Sequence, residues 1–231
     1  MAKFFQESEM TPFAATWLRK QGFSVKEEVS LPWGISDLVG VSLDSDRVKK
    51  RIGLKQRETV GPISRIDLLL SLPDVEERKS VTLNALLAKF AGLMSAEEIL
   101  AELAVLAKKR FVRVNGKGAF QKVNGWMPLH DRLVAVELKM DRIDDALTQA
   151  RKNKELTWES YVGLPTTIAE RVLNGKKCAD FVAAGVGLLG IGIRGVQKLL
   201  SANKVGNRSS PAIEMHCVER FWRTQSTGNL A

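Results

Sequence analysis

Leu133-Val134-Ala135-Val136-Glu137-Leu138-Lys139-Met140 is an apolar strand with two ionisable side chains set into it. A strand of this composition is buried, and a buried strand carries charge only where the charge has a partner. Side chains alternate, so Val134, Val136, Leu138 and Met140 take one face. Glu137 and Lys139 share the other, two positions or about 6.6 Å apart. A second stretch, Ile35-Ser36-Asp37-Leu38-Val39-Gly40-Val41, has the same character, one acid in an apolar run. Placed side by side, the two strands offer a pair of carboxylates suited to a hard divalent cation, and an ammonium able to steady an attacking water or a phosphate.

Upstream of Asp37, Met10, Phe13, Ala14, Trp17 and Leu18 recur at helical spacing. The chain therefore opens with an amphipathic helix, stopped at Gly22, with Pro12 tolerated in its first turn. Phe23 to Leu31 reads as a strand, Pro32-Trp33-Gly34 as a turn, and Ile35 to Val41 as the strand of Asp37. Downstream of Lys139, a helix from about Asp141 to Leu156 buries Ile143, Ala146, Leu147 and Ala150. Tyr161 to Leu164 is then a short strand, Thr166 to Leu173 a helix, Gly185 to Ile193 a strand and Val196 to Leu200 the start of a helix. Strands alternating with helices predict an α/β sheet.

Between the two charged strands the pattern changes. Asp44 to Thr59 carries Arg47, Lys49, Lys50, Arg51, Lys55 and Arg57 and reads as an exposed basic connection over 44–62. Over 63–125, Ile66, Leu69 and Leu70 mark one helix, and Leu83, Leu86, Leu87 and Phe90 a second. Ser95 and Glu98 form a capping box that opens a third helix, with Ile99, Leu103 and Leu106 as its buried stripe. Phe111 to Val114, a glycine-rich tip and Ala119 to Val123 complete a hairpin. Three helices and a hairpin predict an inserted winged helix, and 208–231 reads as a tail of mixed polar residues around Phe221-Trp222, either docked or in contact with a partner.

Composition narrows the classes. The 231 residues are 45% hydrophobic and 26% charged, ordinary for a globular chain. With 35 Lys and Arg against 26 Asp and Glu, the net charge is +9 and the pI about 9.7, which suits a polyanionic partner. Cys178 and Cys217 have no disulfide or zinc spacing, and His130 and His216 stand alone and read as structural. The amino terminus turns acidic too early for a secretory signal, and the 13-residue run Phe181 to Ile193 is too short for a bilayer and holds four glycines. A cytoplasmic protein with no membrane role is expected.

The ordered set of helix, strand, strand with Asp37, strand with Glu137-Leu138-Lys139 and helix with Gln149-Ala150, followed by Tyr161 to Pro165 and Gly185 to Leu189, resembles the PD-(D/E)XK nuclease-like superfamily. The resemblance covers roughly 7–43 and 126–205. It implies a restriction-endonuclease-like α/β core with a mixed central sheet, discontinuous over 1–43 and 126–207, with the winged helix as an insertion. It further implies that Asp37 and Glu137 ligate magnesium or manganese, that Lys139 orients water or stabilises phosphate charge, and that Gln149 positions Lys139 or a substrate oxygen. An acid near the start of the first helix often joins such a site; Glu9 matches best, with Glu28 its rival. Ser36 stands where the family usually has proline.

Plainer readings stand beside these. Glu137 and Lys139 also suit an ion pair at a strand end, Asp37 a turn acid, Gln149 a helix surface and Glu9 a first-turn acid favoured by the helix dipole. The expected activity is magnesium-dependent cleavage of DNA; the alternative is an inactive nuclease fold that binds DNA or protein as a scaffold. The third helix of the insertion presents Glu97, Glu98, Ala101 and Glu102, the wrong charge for a DNA groove. Lys108, Lys109, Arg110, Arg113, Lys117 and Lys122 put the positive charge on the helix end and the wing, so contact with DNA phosphates is expected there. A homodimer or a protein partner, met through the winged helix or the tail, is the other expectation.

Overall fold

The computed structural model describes residues 4–123, 129–203 and 210–227. In chain order the helices and strands are α1 (Thr11–Lys20), β1 (Ser24–Leu31), β2 (Gly34–Leu43), α2 (Ser45–Gly53), α3 (Ile63–Leu70), α4 (Leu83–Lys89) and α5 (Ala96–Lys108). There follow β3 (Val112–Val114), β4 (Phe120–Lys122), β5 (His130–Leu138), α6 (Ile143–Asn153), β6 (Glu159–Pro165), α7 (Thr166–Leu173), α8 (Cys178–Ala184), β7 (Gly187–Gly192), β8 (Gly195–Leu200) and α9 (Pro211–Thr227). Glu7–Glu9 and Val75–Glu77 are single 3-10 turns. The chain divides into two compact units, one of Met1–Leu43 with His130–Ser210, the other of Asp44–Leu129 with Pro211–Ala231.

The first unit is α/β. Its six-stranded mixed sheet has the order β1-β2-β5-β6-β7-β8. β2 lies antiparallel between β1 and β5, so the strands of Asp37 and Glu137 are neighbours across a long insertion. β5, β6 and β7 run parallel, which requires crossovers, and α6 and then α7 with α8 supply them. On one face, Met10 at the N-cap of α1 and Ala14 and Leu18 within it pack with Leu38, Val134, Val136, Leu138, Tyr161, Leu189 and Ile191. On the other, Ala146, Leu147 and Ala150 of α6 meet Val162, Leu164, Ala169, Val172, Phe181 and Leu188. The alternation read from residues 133–140 therefore holds, with the apolar set against α1 and Glu137 on the α6 side. Gly163 of β6 lies beside this strand, where a Cβ would stand 2.7 Å from the side chains of both Leu138 and Ile191.

Val196 to Leu200, expected as a helix start, is the edge strand β8. Ile193 and Arg194 form a tight turn between Gly192 and Gly195, the latter at φ +136°, and this returns the chain along β7.

The second unit holds α3, α4, α5 and the β3–β4 hairpin in the expected order. Ser95 and Glu98 form the expected capping box. Val81, between α3 and α4, forms a single antiparallel bridge to Phe120 of the hairpin. One expectation changes. The stretch 44–62 is not a loose connection: Asp44 caps α2 by accepting the Asp46 and Arg47 N–H groups. Arg51 is fully buried between the rings of Phe111 and Trp222, paired with Glu219 (Nη2–Oε2 3.0 Å). The tail is the docked one: α9 carries Glu219 and packs Ala212 and Met215 into the core with Ile66, Leu69, Leu86 and Leu103. Local patterning misreads Arg51 because a charged residue is taken as exposed unless its partner is visible, and this partner lies 168 positions away.

The approach at 124–128, the end of the expected core at 204–207 and the start of the tail at 208–209 lie outside the described residues, as do 228–231. No helix among the described residues is long and apolar enough to cross a membrane.

Candidate functional site

The paired region of β2 and β5 runs from Leu43 and His130 to Leu38 and Val136. At its open end a side chain takes over from the backbone: Asp37 Oδ2 accepts the Leu138 N–H at 2.7 Å. Lys139 N–H in turn bonds Gly163 O of β6 at 3.1 Å, which fixes the lysine at the carboxyl end of β5.

The Lys139 ammonium, largely buried, is ringed by three acids from separate parts of the chain. Its Nζ lies 3.3 Å from Glu137 Oε1, 3.6 Å from Glu7 Oε2 and 3.7 Å from Asp37 Oδ2, and it donates to Leu138 O at 3.0 Å. Glu137 is only 1% exposed. Burial pushes its carboxyl up to about 7, the Asp37 carboxylate adds to the rise, and Lys139 and Asn153 pull against it. More negative charge converges here than one ammonium balances.

Asn153 ends α6 inside this network. Its Nδ2 lies 3.3 Å from Glu137 Oε2 and 3.4 Å from Ser36 Oγ, and its Oδ1 accepts from Trp33 Nε1 at 3.3 Å. The β1–β2 turn, β2, β5 and α6 thus meet at one amide.

Of the expected residues, Asp37, Glu137 and Lys139 come together. Glu9 does not join them: its carboxylate accepts the Phe5 N–H at 2.7 Å, and the acid that the amino-terminal segment brings to Lys139 is Glu7. Glu7 Oε1 also accepts from Met140 N at 3.4 Å. Glu28 is exposed, at φ +50°, in the β1 position next to Asp37 between the pairs Glu27–Leu38 and Val29–Ser36. Gln149 is exposed on α6, and the residue of that helix which reaches Glu137 is Asn153, one turn on. A signal for it existed: Asn153 continues the stripe of Ile143, Ala146 and Ala150 at helical spacing, where a polar residue is buried and needs a partner.

In the second unit, Lys108 and Lys117 are exposed, Lys122 is half-buried, and Arg113 is exposed with a 3.2 Å bond to Gln121 Oε1. Lys109 is tied down, donating to Thr59 O at 2.8 Å and lying 3.5 Å from Glu58. Glu97 and Glu98 are exposed as expected, but Glu102 is half-buried and paired with Arg65.

No family model and no curated protein matches this chain. One solved structure is similar, the SPO1766 protein of unknown function from Silicibacter pomeroyi, with 97% of this chain and 90% of that one covered, 11% identity and a TM-score of 0.44. At that level of similarity, nothing about fold or function passes from one chain to the other.

Among the described residues no group of three or more His, Cys, Asp or Glu side chains is already arranged to hold a metal ion. Asp37 and Glu137 nonetheless fit a magnesium ion chemically. They are hard oxygen donors from adjoining strands, and this cation commonly takes one or two carboxylates and keeps water for its remaining positions. Burial and then the neighbouring Asp37 carboxylate raise the Glu137 carboxyl, and the charge part of that rise is what a divalent ion would neutralise.

Proposed function

We propose that this protein is a magnesium- or manganese-dependent phosphodiesterase acting on DNA, of the PD-(D/E)XK nuclease-like kind. The observation that carries the reading is the Lys139 ammonium held between Asp37 and Glu137, on strands that are neighbours in one sheet. The order α1, β1, β2, β5, α6, β6, with neighbouring strands β1-β2-β5-β6, supports it.

Asp37 and Glu137 would hold the metal, which supplies Lewis-acid neutralisation of the phosphate and a lowered pKa for the attacking water. Lys139 donates to the water or to a phosphate oxygen, where its charge opposes the charge that develops in the transition state. Asn153 keeps Glu137 in one orientation, and Glu7 adds a further carboxylate beside Lys139. Replacing Lys139 or Asp37 with alanine removes charge at the site and leaves the apolar packing on the α1 face in place.

In the second unit, the order of α3, Val81, α4, α5, β3 and β4 supports a winged helix. Arg113, Lys117 and Lys122 lie on its wing and Lys108 at the end of α5, and they would grip phosphates without reading bases. A second reading, an inactive scaffold, draws on the exposed position of Gln149 and the absence of a ready-made metal cluster among the described residues. Incubating the purified protein with plasmid DNA and magnesium tests the choice. Nicking that Asp37→Ala and Lys139→Ala abolish supports the enzyme; equal nicking by wild type and both variants identifies a contaminant and leaves the scaffold.

A further inference from the structure

A groove of about 320 Å³ opens on the α6 side of the first unit, lined by Asp141, Ile143, Ile168, Arg171, Val172, Gly175, Lys176 and Lys177. Asp141 stands two residues beyond Lys139, so the groove begins at the same end of β5 as the charged cluster. Its floor is apolar, formed by Ile143, Ile168 and Val172, and its rim is cationic. The three cations differ. Lys177 is already engaged by Asp144 and lies 3.8 Å from Asp180. Arg171 and Lys176 are exposed and make no ion pair among the described residues.

Two free cations over an aliphatic floor match a ligand with an anionic end and a flat, weakly polar body. The size suits one nucleotide, since small-molecule sites begin near 300 Å³. Asp141 adds an acceptor on the rim, of the kind that takes an amino group on a base edge. We infer that this groove binds a nucleoside phosphate, with the base against Ile143, Ile168 and Val172 and the phosphate at Arg171 and Lys176. On the reading of the protein as a DNA phosphodiesterase, that nucleotide is an unpaired one next to the bond being cut. A paired base is stacked inside a duplex and cannot present its face to the floor, so the groove selects single-stranded or opened DNA.

The test is binding of a fluorescein-labelled oligodeoxycytidylate to the full chain, read by anisotropy in EDTA, with a blunt duplex and free deoxycytidine monophosphate as the other arms. Arg171→Gln with Lys176→Gln should weaken binding of the single strand by about tenfold or more, since each lost contact is a charge-assisted hydrogen bond. It should also reduce the salt slope by about 0.7 per lost contact. Both positions are exposed, so the double variant folds; Ile168→Ser should reproduce the loss without changing the salt slope. Duplex affinity should stay at the wild-type value. Competition by the free nucleotide at equal concentration assigns the groove to free nucleotides; competition by the oligonucleotide alone assigns it to a strand. Unchanged single-strand and nucleotide binding in both variants overturns the inference. Cleavage does not enter this readout, so a wild type inactive with magnesium that still shows these losses removes the nuclease reading and leaves the groove.

Discussion

Asn153 donates to Glu137 Oε2 from the last turn of α6, at 3.3 Å, while its carbonyl accepts from Trp33. The hydrogen bond favours the ionised form of Glu137, so its loss moves the carboxyl further up from about 7. Asn153→Ala should therefore shift the acid limb of the activity profile to higher pH and lower kcat more than it changes KM. Carbon-13 NMR of the Glu137 carboxyl measures the same shift without activity. A profile and a resonance that titrate as in wild type would reduce Asn153 to a packing residue.

Stability without metal should fall as pH rises. Folded Glu137 keeps its proton to about 7, against 4.5 in the unfolded chain, so the contribution of this group is fully present below about 4.5 and is lost as pH climbs through 7. Urea unfolding in EDTA should show wild type losing at most about 3 kcal/mol relative to Glu137→Gln between about pH 5 and pH 8. Magnesium should stabilise wild type at the upper end of that range and leave the variant unaffected. Parallel curves for the two proteins would refute the shift.

Activity should depend on charge at one point. Lys139→Ala is expected to reduce plasmid nicking by about 100-fold or more, the usual cost of losing a transition-state donor, with an unchanged circular dichroism spectrum. Glu7→Gln should cost less, because it touches Lys139 at the rim of the site. A Glu7 variant as inactive as the Lys139 variant would make Glu7 a ligand of the metal.

For the wing, alanine at Arg113, Lys117 and Lys122 should weaken binding to all duplex sequences alike and reduce the salt slope by up to about 0.9 per lost contact. Alanine at Glu97 and Glu98 should leave binding unchanged or strengthen it. Glu102 needs separate treatment, since its removal strands Arg65. Loss of a preferred sequence from the glutamate changes, with none from the wing, would place base reading on α5.

Glu219→Ala should destabilise the second unit by about 3 to 5 kcal/mol, because Arg51 is then buried without its partner. Replacing both residues with methionine should recover most of that loss. Equal unfolding midpoints for wild type and the single variant would contradict the burial.

The sequence makes legible whatever repeats locally. The two-residue alternation at 133–140, the helix Thr166–Leu173 and the Ser95–Glu98 cap each depend on neighbours within a few positions. Asp37 and Glu137 were legible because a charge in an apolar strand is conspicuous. Glu7 was not, since two acids on one 3-10 turn are alike in sequence and only the bend of the chain selects which faces Lys139. Gln149 follows from the motif alone, whereas Asn153 lies on the buried helical stripe that the motif does not include. Arg51 lay beyond any local reading, because Glu219 reaches it only after the whole of the first unit has been traversed.

That last pairing bears on how the molecule is made. Neither unit is a continuous stretch: residues 44–129 leave the ribosome early but obtain α9 only after residue 210, and β2 waits for β5 while the insertion is being synthesised. With translation at roughly 5 to 20 residues per second, Arg51 spends on the order of ten seconds exposed before its carboxylate partner exists. A cut at any of the three junctions, after residue 43, 129 or 210, separates the two segments of at least one unit, and a stop codon before residue 211 takes the partner of Arg51 from a segment already synthesised.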